Sequence, residues 1–363
     1  MPDMPRRRFL HGCAAWGIAA AAHLSRPGRA RSESPLKPAI RVGQIGVGHA
    51  HAGGKMDALR RLHDDFEVVG IVEPDVQRRE AAQRQPVYQN LRWMTEEELL
   101  NVKGLRAVVV ETNVQDLVPT AARAVAAGMH LHLDKPAGES LAAYRQMLDE
   151  ATRRRLTVQM GFMFRYNPAF RLCFQAVREG WLGEVFELHG VISSNYQAEA
   201  RKPLLPYRGG IMFELGCHLI DAMITVLGKP TSVSAFPRRM HPEWDTVFDN
   251  QLAVFEFPRA TATIRSTLVE VSAGSRRQFV VCGNRGTVDI RPIEPPLAGL
   301  TLARACGEFR KGHQEVQFPK PSGRYDDQLR EFAGVVRGEK KADYSAEHDL
   351  AVHETVLRAS GVL

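Results

Sequence analysis

The sequence predicts an α/β protein, with a doubly wound parallel sheet in its first part and an α+β region with an open, mostly antiparallel sheet behind it. Up to about residue 160, short apolar runs alternate with helix-like stretches, as in a parallel sheet with crossover helices. Beyond that point, several β-rich runs follow one another without helices between them. The length of 363 residues is enough for two domains, so we expect the chemistry in a cleft between them.

The first region consists of apolar β-type runs that are separated by amphipathic stretches. The predicted strands are Ile40–Ile45, Phe66–Val72, Leu105–Val110, Met129–Leu133 and Leu156–Met160. The predicted helices between them are Ala50–His63, Pro119–Ala127 and Leu141–Arg154. Because parallel strands are buried on both faces, near-continuous apolar runs are typical of them. We expect this first domain to span residues 39–160.

A second domain is expected over residues 161–363. It begins with two helix-like stretches, Pro168–Gly180 and Ile211–Leu227. The β-rich runs that follow are Thr231–Phe236, Asn250–Phe257, Ala260–Leu268, Gln278–Cys282 and Thr287–Ile290. Two closing helices, Tyr325–Arg337 and Ser345–Ser360, are expected to pack back on the first domain.

Residues 1–30 resemble a twin-arginine export signal. Three arginines at residues 6–8 precede an apolar stretch over residues 13–22, and Ala30 ends a small-x-small site at which we place cleavage. A basic, frayed amphipathic start is the alternative. Residues 31–38 form a linker. Since the apolar stretch is shorter than the roughly 20 residues that span a bilayer, we expect an exported periplasmic or extracytoplasmic protein without a membrane partner after signal cleavage.

The net charge excludes one class of partner. It is +7, but residues 1–30 carry five arginines against one aspartate, so only +3 remains on the rest of the chain. No basic run interleaved with aromatic residues occurs, and nucleic acid is therefore not an expected partner. Four of the five cysteines lie beyond residue 30 without a CxxC pair, which predicts neither a disulfide framework nor a cysteine metal site.

A glycine loop at Gly46 and Gly48 follows the first predicted strand and opens the first predicted helix. Two glycines permit a tight turn and bring backbone N–H groups close to a pyrophosphate at the helix N-terminus. His49 and His51 complete the predicted cofactor loop, and His51 stands where such loops usually have a third glycine. A purely structural turn is the alternative for this loop taken alone.

Glu73 ends the second predicted strand, about 25 residues beyond Gly48. A carboxylate at this place accepts hydrogen bonds from both ribose hydroxyls of adenosine and repels a 2′-phosphate, so we predict NAD as the cofactor rather than NADP. Arg78 and Arg79 follow closely and keep NADP open as the alternative, since an arginine can bind the additional phosphate.

Two further segments carry candidate chemistry. Lys135 and Pro136 follow the fourth predicted strand, and the carboxyl ends of parallel strands are where open α/β sheets bind ligands. In the helix-like stretch after residue 210, Glu214 and His218 are four residues apart and Asp221 follows three residues later, which predicts one shared helix face.

In combination, these motifs resemble the Gfo/Idh/MocA family, which includes glucose-fructose oxidoreductase and inositol dehydrogenase. The resemblance rests on the glycine loop, the strand-end acid, the acidic-Lys-Pro segment, the Arg-Tyr-Asn-Pro segment at 165–168, and the glycine pair ahead of the acid-x-x-x-His-x-x-Asp helix. It covers nearly all of the chain beyond the leader. It implies a Rossmann domain followed by an α/β domain whose open sheet often makes the oligomer contact, so a homo-oligomer through the C-terminal sheet is expected.

The resemblance also implies site residues. The family's catalytic group maps to Lys135, Glu214 and His218, and Thr112 and Asn113 stand at the family's Thr-Pro segment as expected cofactor contacts. Hydride transfer from a carbinol needs a base for the hydroxyl proton and a cation near the developing alkoxide. His218 suits the first role and Lys135 the second, while Glu214 would orient the imidazole or bind the sugar. A histidine of the core is the alternative for His218.

Substrate contacts are predicted more loosely. The candidates are Arg165, Tyr196 and Arg208, and for the last two a solvated loop is an equal alternative. His130 and His132 share a strand face but lack an evident third donor, so no metal is predicted. We therefore expect an exported NAD-dependent oxidoreductase that acts on a sugar, polyol or glycoside, with tightly bound NAD that is recycled in place. The alternatives are an NAD-dependent glycosidase and a catalytically silent dinucleotide-binding protein.

Overall fold

The computed structural model describes residues 38–319 and 323–363, which form one compact unit. The predicted export signal and nearly all of the predicted linker fall within residues 1–37 and lie outside the described residues. Among the described helices, none combines the length and the apolar character that crossing a lipid bilayer requires.

The first sheet is parallel and lies in the N-terminal part of the described chain. Its strands are β1 (Ile40–Ile45), β2 (Phe66–Val72), β3 (Ala107–Val110), β4 (His130–Leu133) and β5 (Val158–Met160). Their order across the sheet is β2-β1-β3-β4-β5, which confirms the predicted doubly wound Rossmann arrangement. Every residue of β3 is buried, because helices cover both faces. The order reverses between β1 and β3, and ligands bind beyond the strand ends at such a switch point.

The helices of this part are α1 (Ala52–Arg61), α2 (Val76–Gln83), α3 (Glu96–Leu100), α4 (Val114–Ala126) and α5 (Leu141–Arg153). The short helices α2 and α3 are not predicted by the sequence pattern. The start of α4 at Pro119 is predicted wrongly, because this proline lies inside the helix. Val114 and Leu117 are buried, so the apolar face that packs on the sheet begins more than one turn before the proline.

The second sheet has eight strands: β6 (Val185–Val191), β7 (Ser232–Arg238), β8 (Asn250–Glu256), β9 (Thr261–Thr267), β10 (Gln278–Gly283), β11 (Gly286–Ile290), β12 (Leu297–Leu302) and β13 (Gly312–Gln317). The order is β13-β12-β11-β10-β6-β9-β8-β7, and only β6 and β9 pair in parallel. This confirms a mostly antiparallel sheet. The sequence pattern misses β12, β13 and the central strand β6.

The remaining helices are α6 (Pro168–Arg178), α7 (Ala198–Arg201), α8 (Cys217–Leu227), α9 (Asp326–Val336) and α10 (Ala346–Ala359). One π-helical turn, Met212–Gly216, precedes α8, where the sequence predicts ordinary α-helix from residue 211. Two residues of α9, Leu329 and Phe332, share a buried cluster with Leu59 of α1 and Phe66 of β2. The chain's C-terminal part thus packs against the parallel sheet that begins the fold.

Candidate active site

The glycine loop at the end of β1 fits closely against the connection between β3 and α4. Gly46 has a φ of +90°, and a Cβ atom there would lie 2.6 Å from the backbone nitrogen of Thr112. A Cβ atom on Gly48 would lie 2.6 Å from Oδ1 of Asn113. Larger residues would therefore push the two loops apart. The turn keeps the cradle that a dinucleotide pyrophosphate needs, and Thr112 and Asn113 form its opposite wall.

Glu73 lies beside this loop at the end of β2. Its carboxylate accepts hydrogen bonds from the backbone N–H of Val47 at 2.9 Å and of Asp75 at 3.0 Å, and Nε of Arg78 is 3.4 Å away. A cavity of about 280 Å³ opens here, lined by residues that include Gly46, Glu73, Pro74, Arg78, Thr112 and Asn113. The cavity fits the adenosine half of a dinucleotide, with Glu73 in place to meet the ribose.

Lys135 follows β4 and reaches into the second part of the protein. Its Nζ donates to the side-chain Oε1 of Glu214 at 2.8 Å and to the backbone oxygen of the same residue at 2.9 Å. The side chain of Lys135 is only 1% exposed. Burial opposes its charge, but Glu214, together with the smaller contributions of Cys217 and Asp134, outweighs burial and raises the pKa of Lys135. The site therefore holds a fixed ammonium group.

The π-helical turn explains how one residue binds this lysine twice. A π-helix replaces the usual i to i+4 hydrogen bonds, and its single turns often occur at functional sites. Glu214 lies in the turn, and its backbone oxygen accepts hydrogen bonds from Lys135 and from Sγ of Cys217, at 3.2 Å for the thiol. Lys135 is thus fixed from two directions, which limits its movement.

His218 lies one residue into α8, in an apolar setting. Its ring centre is 6.0 Å from that of Phe162 and 5.1 Å from that of Phe164. Nδ1 is buried and has no hydrogen-bond partner among the described residues. Burial, and next the charge of Lys135, hold the pKa of His218 well below its ordinary value. The imidazole is therefore neutral and has a free lone pair or N–H.

An acidic residue not predicted from the sequence connects the lysine loop to the segment that leads into α8. Oε1 of Glu139 accepts hydrogen bonds from the backbone N–H of Arg208 at 2.6 Å and of Gly209 at 3.2 Å. Oε2 accepts one from Nε of Arg208 at 3.0 Å. These contacts connect the loop that follows Lys135 to the residues just ahead of the π-helical turn. Arg208 is 68% exposed, but this ion pair engages its guanidinium.

The other two predicted substrate contacts are placed differently. Tyr196 is half-buried and packs with Leu204 and Ile211 beside the segment that leads into the π-helical turn. Arg165 lines a cavity of only about 10 Å³ beside β5 and α9, which is too small to hold a sugar. Its guanidinium is buried and binds the carboxylate of Asp221, with Nη2 2.6 Å from Oδ1, and also contacts Asp349. The carboxylate of Asp221 is engaged in this ion pair. It therefore does not contribute to the site with Glu214 and His218.

A buried polar network lies beneath the glycine loop, and its lysine was not predicted. Nζ of Lys55 is 3.3 Å from Oδ2 of Asp134, 3.4 Å from Oε1 of Glu111 and 2.6 Å from Nε2 of His132. Nε2 of His49 lies 3.0 Å from the backbone oxygen of Lys135. The sequence contains a signal for this network, because Lys55 lies on the apolar face of α1. A lysine on a buried face needs buried partners of opposite charge.

Within residues 38–319 and 323–363, two groups of donors have the spacing of metal ligands. His49, His51 and Asp134 offer atoms within 4.8 Å of one another, as do Asp221, His348 and Asp349. The Lys55 ammonium already meets the carboxylate of the first group, and the second group surrounds the Arg165 guanidinium. Because protein cations already neutralise both groups, we assign no metal to either.

The chain matches two descriptions of one protein family. The NAD-binding Rossmann fold of this oxidoreductase family matches residues 40–162, and the GFO/IDH/MocA C-terminal domain matches residues 170–289. YhhX, an uncharacterized oxidoreductase of Escherichia coli (strain K12), is 26% identical over 246 residues, or 67% of this chain and 69% of that protein. An inositol 2-dehydrogenase of Leifsonia xyli subsp. xyli is 30% identical over 208 residues, or 56% of this chain and 58% of that protein.

Solved structures agree with this assignment at the level of the fold. The WlbA dehydrogenase from Bordetella pertussis, in complex with NADH and UDP-GlcNAcA, has a TM-score of 0.72 at 17% identity, covering 89% of this chain and 95% of that chain. The UDP-N-acetylglucosamine 3-dehydrogenase GnnA from Acidithiobacillus ferrooxidans has a TM-score of 0.72 at 16% identity, covering 90% and 98%. With its Rossmann sheet, glycine cradle and Lys135–Glu214 pair, the chain belongs to the Gfo/Idh/MocA family of NAD-binding oxidoreductases.

Proposed function

We propose that this protein is an exported NAD-dependent oxidoreductase that acts on a sugar, a polyol or a glycoside. One arrangement carries the proposal: the Lys135 ammonium beyond the end of β4 is bound twice by Glu214, and its charge acts on the neutral His218. A fixed cation and a free imidazole are the two groups that oxidation of a carbinol requires.

The chain's residues would divide the work as follows. When bound, NAD supplies the acceptor for a hydride from the carbinol carbon. Lys135 stabilises the negative charge that develops on the carbinol oxygen, and Glu214 keeps the ammonium in position. His218 accepts the hydroxyl proton, since it is neutral and unpartnered at Nδ1. Phe162 beside its ring helps to exclude water.

The relatives support a carbohydrate-like substrate. One similar protein is an inositol 2-dehydrogenase, a second acts as a UDP-N-acetylglucosamine 3-dehydrogenase, and a third is seen with NADH and UDP-GlcNAcA. Each of these names mentions a compound that contains a ring with several hydroxyl groups. The buried ammonium of Lys135 and the polar groups around it suit an oxygen-rich ligand of this class.

The environment of Glu73 supports NAD as the preferred cofactor. Its carboxylate faces the adenosine cavity, and the nearby Arg78 is held within 3.4 Å of it. At the rim of the same cavity, Arg123 is engaged by Glu96, with Nη2 2.8 Å from Oε2. Both arginines thus have carboxylate partners, which leaves less positive charge for a 2′-phosphate.

Replacing Glu73 with Ala should raise the affinity for NADP relative to NAD by about tenfold, which corresponds to roughly 1.4 kcal/mol. The reason is that a repelling carboxylate is lost while Arg78 becomes available to the phosphate. Dissociation constants of both cofactors, measured by calorimetry on cofactor-stripped protein, give the ratio. Glu80→Ala, on the exposed side of α2, serves as the control. Tighter binding of NADP by the wild type would contradict the assignment.

The predicted export route adds a requirement on the cofactor. A protein exported in folded form acquires NAD before export, and we propose that it meets no comparable free pool afterwards. The same bound NAD must then be reoxidised in place, by a second substrate or by the first one. The second case is an NAD-dependent glycosidase, in which oxidation at C3 acidifies the neighbouring C–H, the glycosidic oxygen leaves, water adds, and the hydride returns.

The purified protein should therefore contain about one NAD per chain without addition of cofactor. Denaturation followed by an enzymatic assay of the supernatant measures it. The loaded protein is then mixed with myo-inositol, free hexoses and methyl glycosides, and the absorbance band of reduced nicotinamide is followed. Protein that emerges empty and turns over only with millimolar added NAD would overturn the closed cycle and favour a simple dehydrogenase. Loaded protein that stays silent with the whole panel would favour a binding protein.

A further inference from the structure

The imidazole of His49, which follows Gly48 in the cofactor loop, is buried, with only 4% of the side chain exposed. Its Nδ1 lies 3.2 Å from the backbone nitrogen of His51, and its Nε2 lies 3.0 Å from the backbone oxygen of Lys135. The first contact stays within the cofactor loop, and the second reaches across 86 positions to the segment just beyond β4. One imidazole therefore connects the cofactor loop to the lysine of the proposed active site.

The two contacts decide which ring nitrogen of His49 carries the proton. The backbone N–H of His51 can only donate, so Nδ1 must accept, and the backbone oxygen of Lys135 can only accept, so Nε2 must donate. A neutral imidazole with its proton on Nε2 meets both requirements. Burial lowers the pKa of His49 to about 4, although the charge of Asp134 works against this effect, and the ring is therefore neutral near pH 7.

The carboxylate of Asp134 also lies near Nδ1 of His49, but it has other donors. Its Oδ2 is 3.4 Å from this nitrogen, 3.0 Å from Nδ1 of His51 and 3.3 Å from Nζ of Lys55. Because Lys55 and His51 both lie close enough to donate to Oδ2, this oxygen does not require a proton on Nδ1 of His49. That nitrogen remains available to the backbone N–H of His51.

Both backbone polar groups of Lys135 are bound by side chains. Its oxygen accepts from Nε2 of His49, and its N–H donates to Oδ1 of Asp134 at 2.7 Å. Asp134 is in turn in contact with Nδ1 of His51. The two histidines of the cofactor loop thus reach Lys135 by two routes, of which one is direct and the other passes through a carboxylate. From Nζ of Lys135 the hydrogen bonds continue to Glu214.

This connection matters because the two groups that must meet the substrate belong to different segments. The cofactor loop would hold the dinucleotide, whereas Lys135 follows β4. A carbinol has to present its hydride to the nicotinamide and its oxygen to the ammonium at the same time. A displacement of about 1 Å between such groups can lower a rate about 10²-fold.

We propose that His49 is a positioning residue of this active site, which holds the backbone of the cofactor loop through Nδ1 and the backbone of Lys135 through Nε2. This inference rests on the proposed function, in which bound NAD accepts the hydride and Lys135 stabilises the carbinol oxygen. It assigns no contact with the substrate to His49. An imidazole supplies an acceptor and a donor from one rigid ring, and an amide side chain of suitable length can replace only one of them at its original place.

The two contacts are tested first without a substrate. In protein labelled with ¹⁵N-histidine, the His49 signals are those missing in His49→Asn, and we expect the proton on Nε2. In protein labelled with ¹³C-carbonyl lysine, the Lys135 signal is the one missing in Lys135→Met. It should move in His49→Asn and stay near its place in His49→Gln. A His49 proton on Nδ1, or a Lys135 signal that His49→Asn leaves unchanged, would overturn the proposal.

Two amide variants then separate the effects on the lysine and on the loop. Asn can place an acceptor near the position of Nδ1 but is too short to reach the oxygen of Lys135, while Gln can place an N–H near the position of Nε2. We expect His49→Asn to lower the single-turnover rate of NAD reduction at saturating NAD about tenfold, with less than about a threefold change in the dissociation constant of NAD. We expect the reverse for His49→Gln, namely a dissociation constant about tenfold higher and a rate within about threefold.

The rate is measured by stopped-flow absorbance with myo-inositol, free hexoses and methyl glycosides, and the dissociation constant by calorimetry on cofactor-stripped protein. His63→Asn and His63→Gln, at a side chain that is 78% exposed, should leave both quantities unchanged. If His49 only filled space, its Asn and Gln variants would change the rate and the affinity in the same proportion, and that result would overturn the positioning role.

These outcomes can be told apart from a failure of the proposed function. A wild type that reduces no bound NAD with any sugar of the panel would overturn the proposed function. The histidine and lysine signals and the NAD affinities need no substrate, so they would still confirm or overturn the two contacts of His49.

Discussion

Lys135→Met should lower the single-turnover rate of bound-NAD reduction about 10²- to 10³-fold, the range seen when one group that stabilises a developing oxyanion is removed. The ammonium is the buried positive charge that Glu214 holds at 2.8 Å, and Met fills a similar volume without the charge. Stopped-flow absorbance of the reduced nicotinamide measures the rate. The amount of bound NAD, measured after denaturation, shows whether the cofactor is retained.

The same change tests whether Lys135 acts in chemistry or only in packing. A packing role would appear as a lower free energy of unfolding with little change in the rate of the folded protein. The matched control is Lys202→Met, which changes an exposed lysine between β6 and the π-helical turn. This change should leave the rate of bound-NAD reduction unaffected. Equal rates in Lys135→Met and the wild type would reject the assigned role of Lys135.

Arg165→Met should lower the free energy of unfolding by about 3–5 kcal/mol, the cost of removing one member of a buried ion cluster. The guanidinium binds Asp221 and Asp349, and it stacks on the ring of Tyr344 with its central carbon 3.9 Å from the ring centre. Without Arg165, two carboxylates stay buried beside each other with no guanidinium between them. Urea unfolding, followed by circular dichroism, measures the change.

Two control experiments test whether the loss of stability in Arg165→Met comes from the buried ion cluster. Arg358→Met breaks a half-exposed ion pair with Glu354 on α10 and should cost less than about 1 kcal/mol. Combining Arg165→Met with Asp221→Asn and Asp349→Asn removes the stranded charges and should recover a large part of the lost stability. A cost for Arg165→Met no greater than that for Arg358→Met would show that the cluster contributes little.

The parallel sheet and the cofactor loop could be predicted because their signals are local. Residues 66–72 form a strand with the predicted bounds, since a short apolar, β-branched run after a helical stretch is typical of a buried strand. Gly46 and Gly48 are visible in the sequence because a tight turn before a helix restricts the residue type to glycine. Lys135, Glu214 and His218 were found through the family resemblance, and the described geometry brings Lys135 and Glu214 into contact.

Other features depend on partners that are distant in the sequence. The sequence of strand β6 mixes polar and apolar residues without a clear strand pattern. It lies at the centre of the sheet because it pairs with β10 on one side and with β9 on the other. Arg165 looked like a substrate contact, yet its partner Asp349 lies 184 positions away. A sequence pattern shows which residue types are present, but it does not show which of them become neighbours.

The sequence by itself thus determined the strands of the parallel sheet, the glycine cradle and the types of residue available for chemistry. The tertiary structure alone decided how these residues are charged and oriented. Lys55, Glu111 and Asp134 share one buried site although they come from α1 and the ends of β3 and β4, and burial next to opposite charges sets their protonation. Electrostatic interactions act through space and strengthen where water is excluded, so folding alone establishes them.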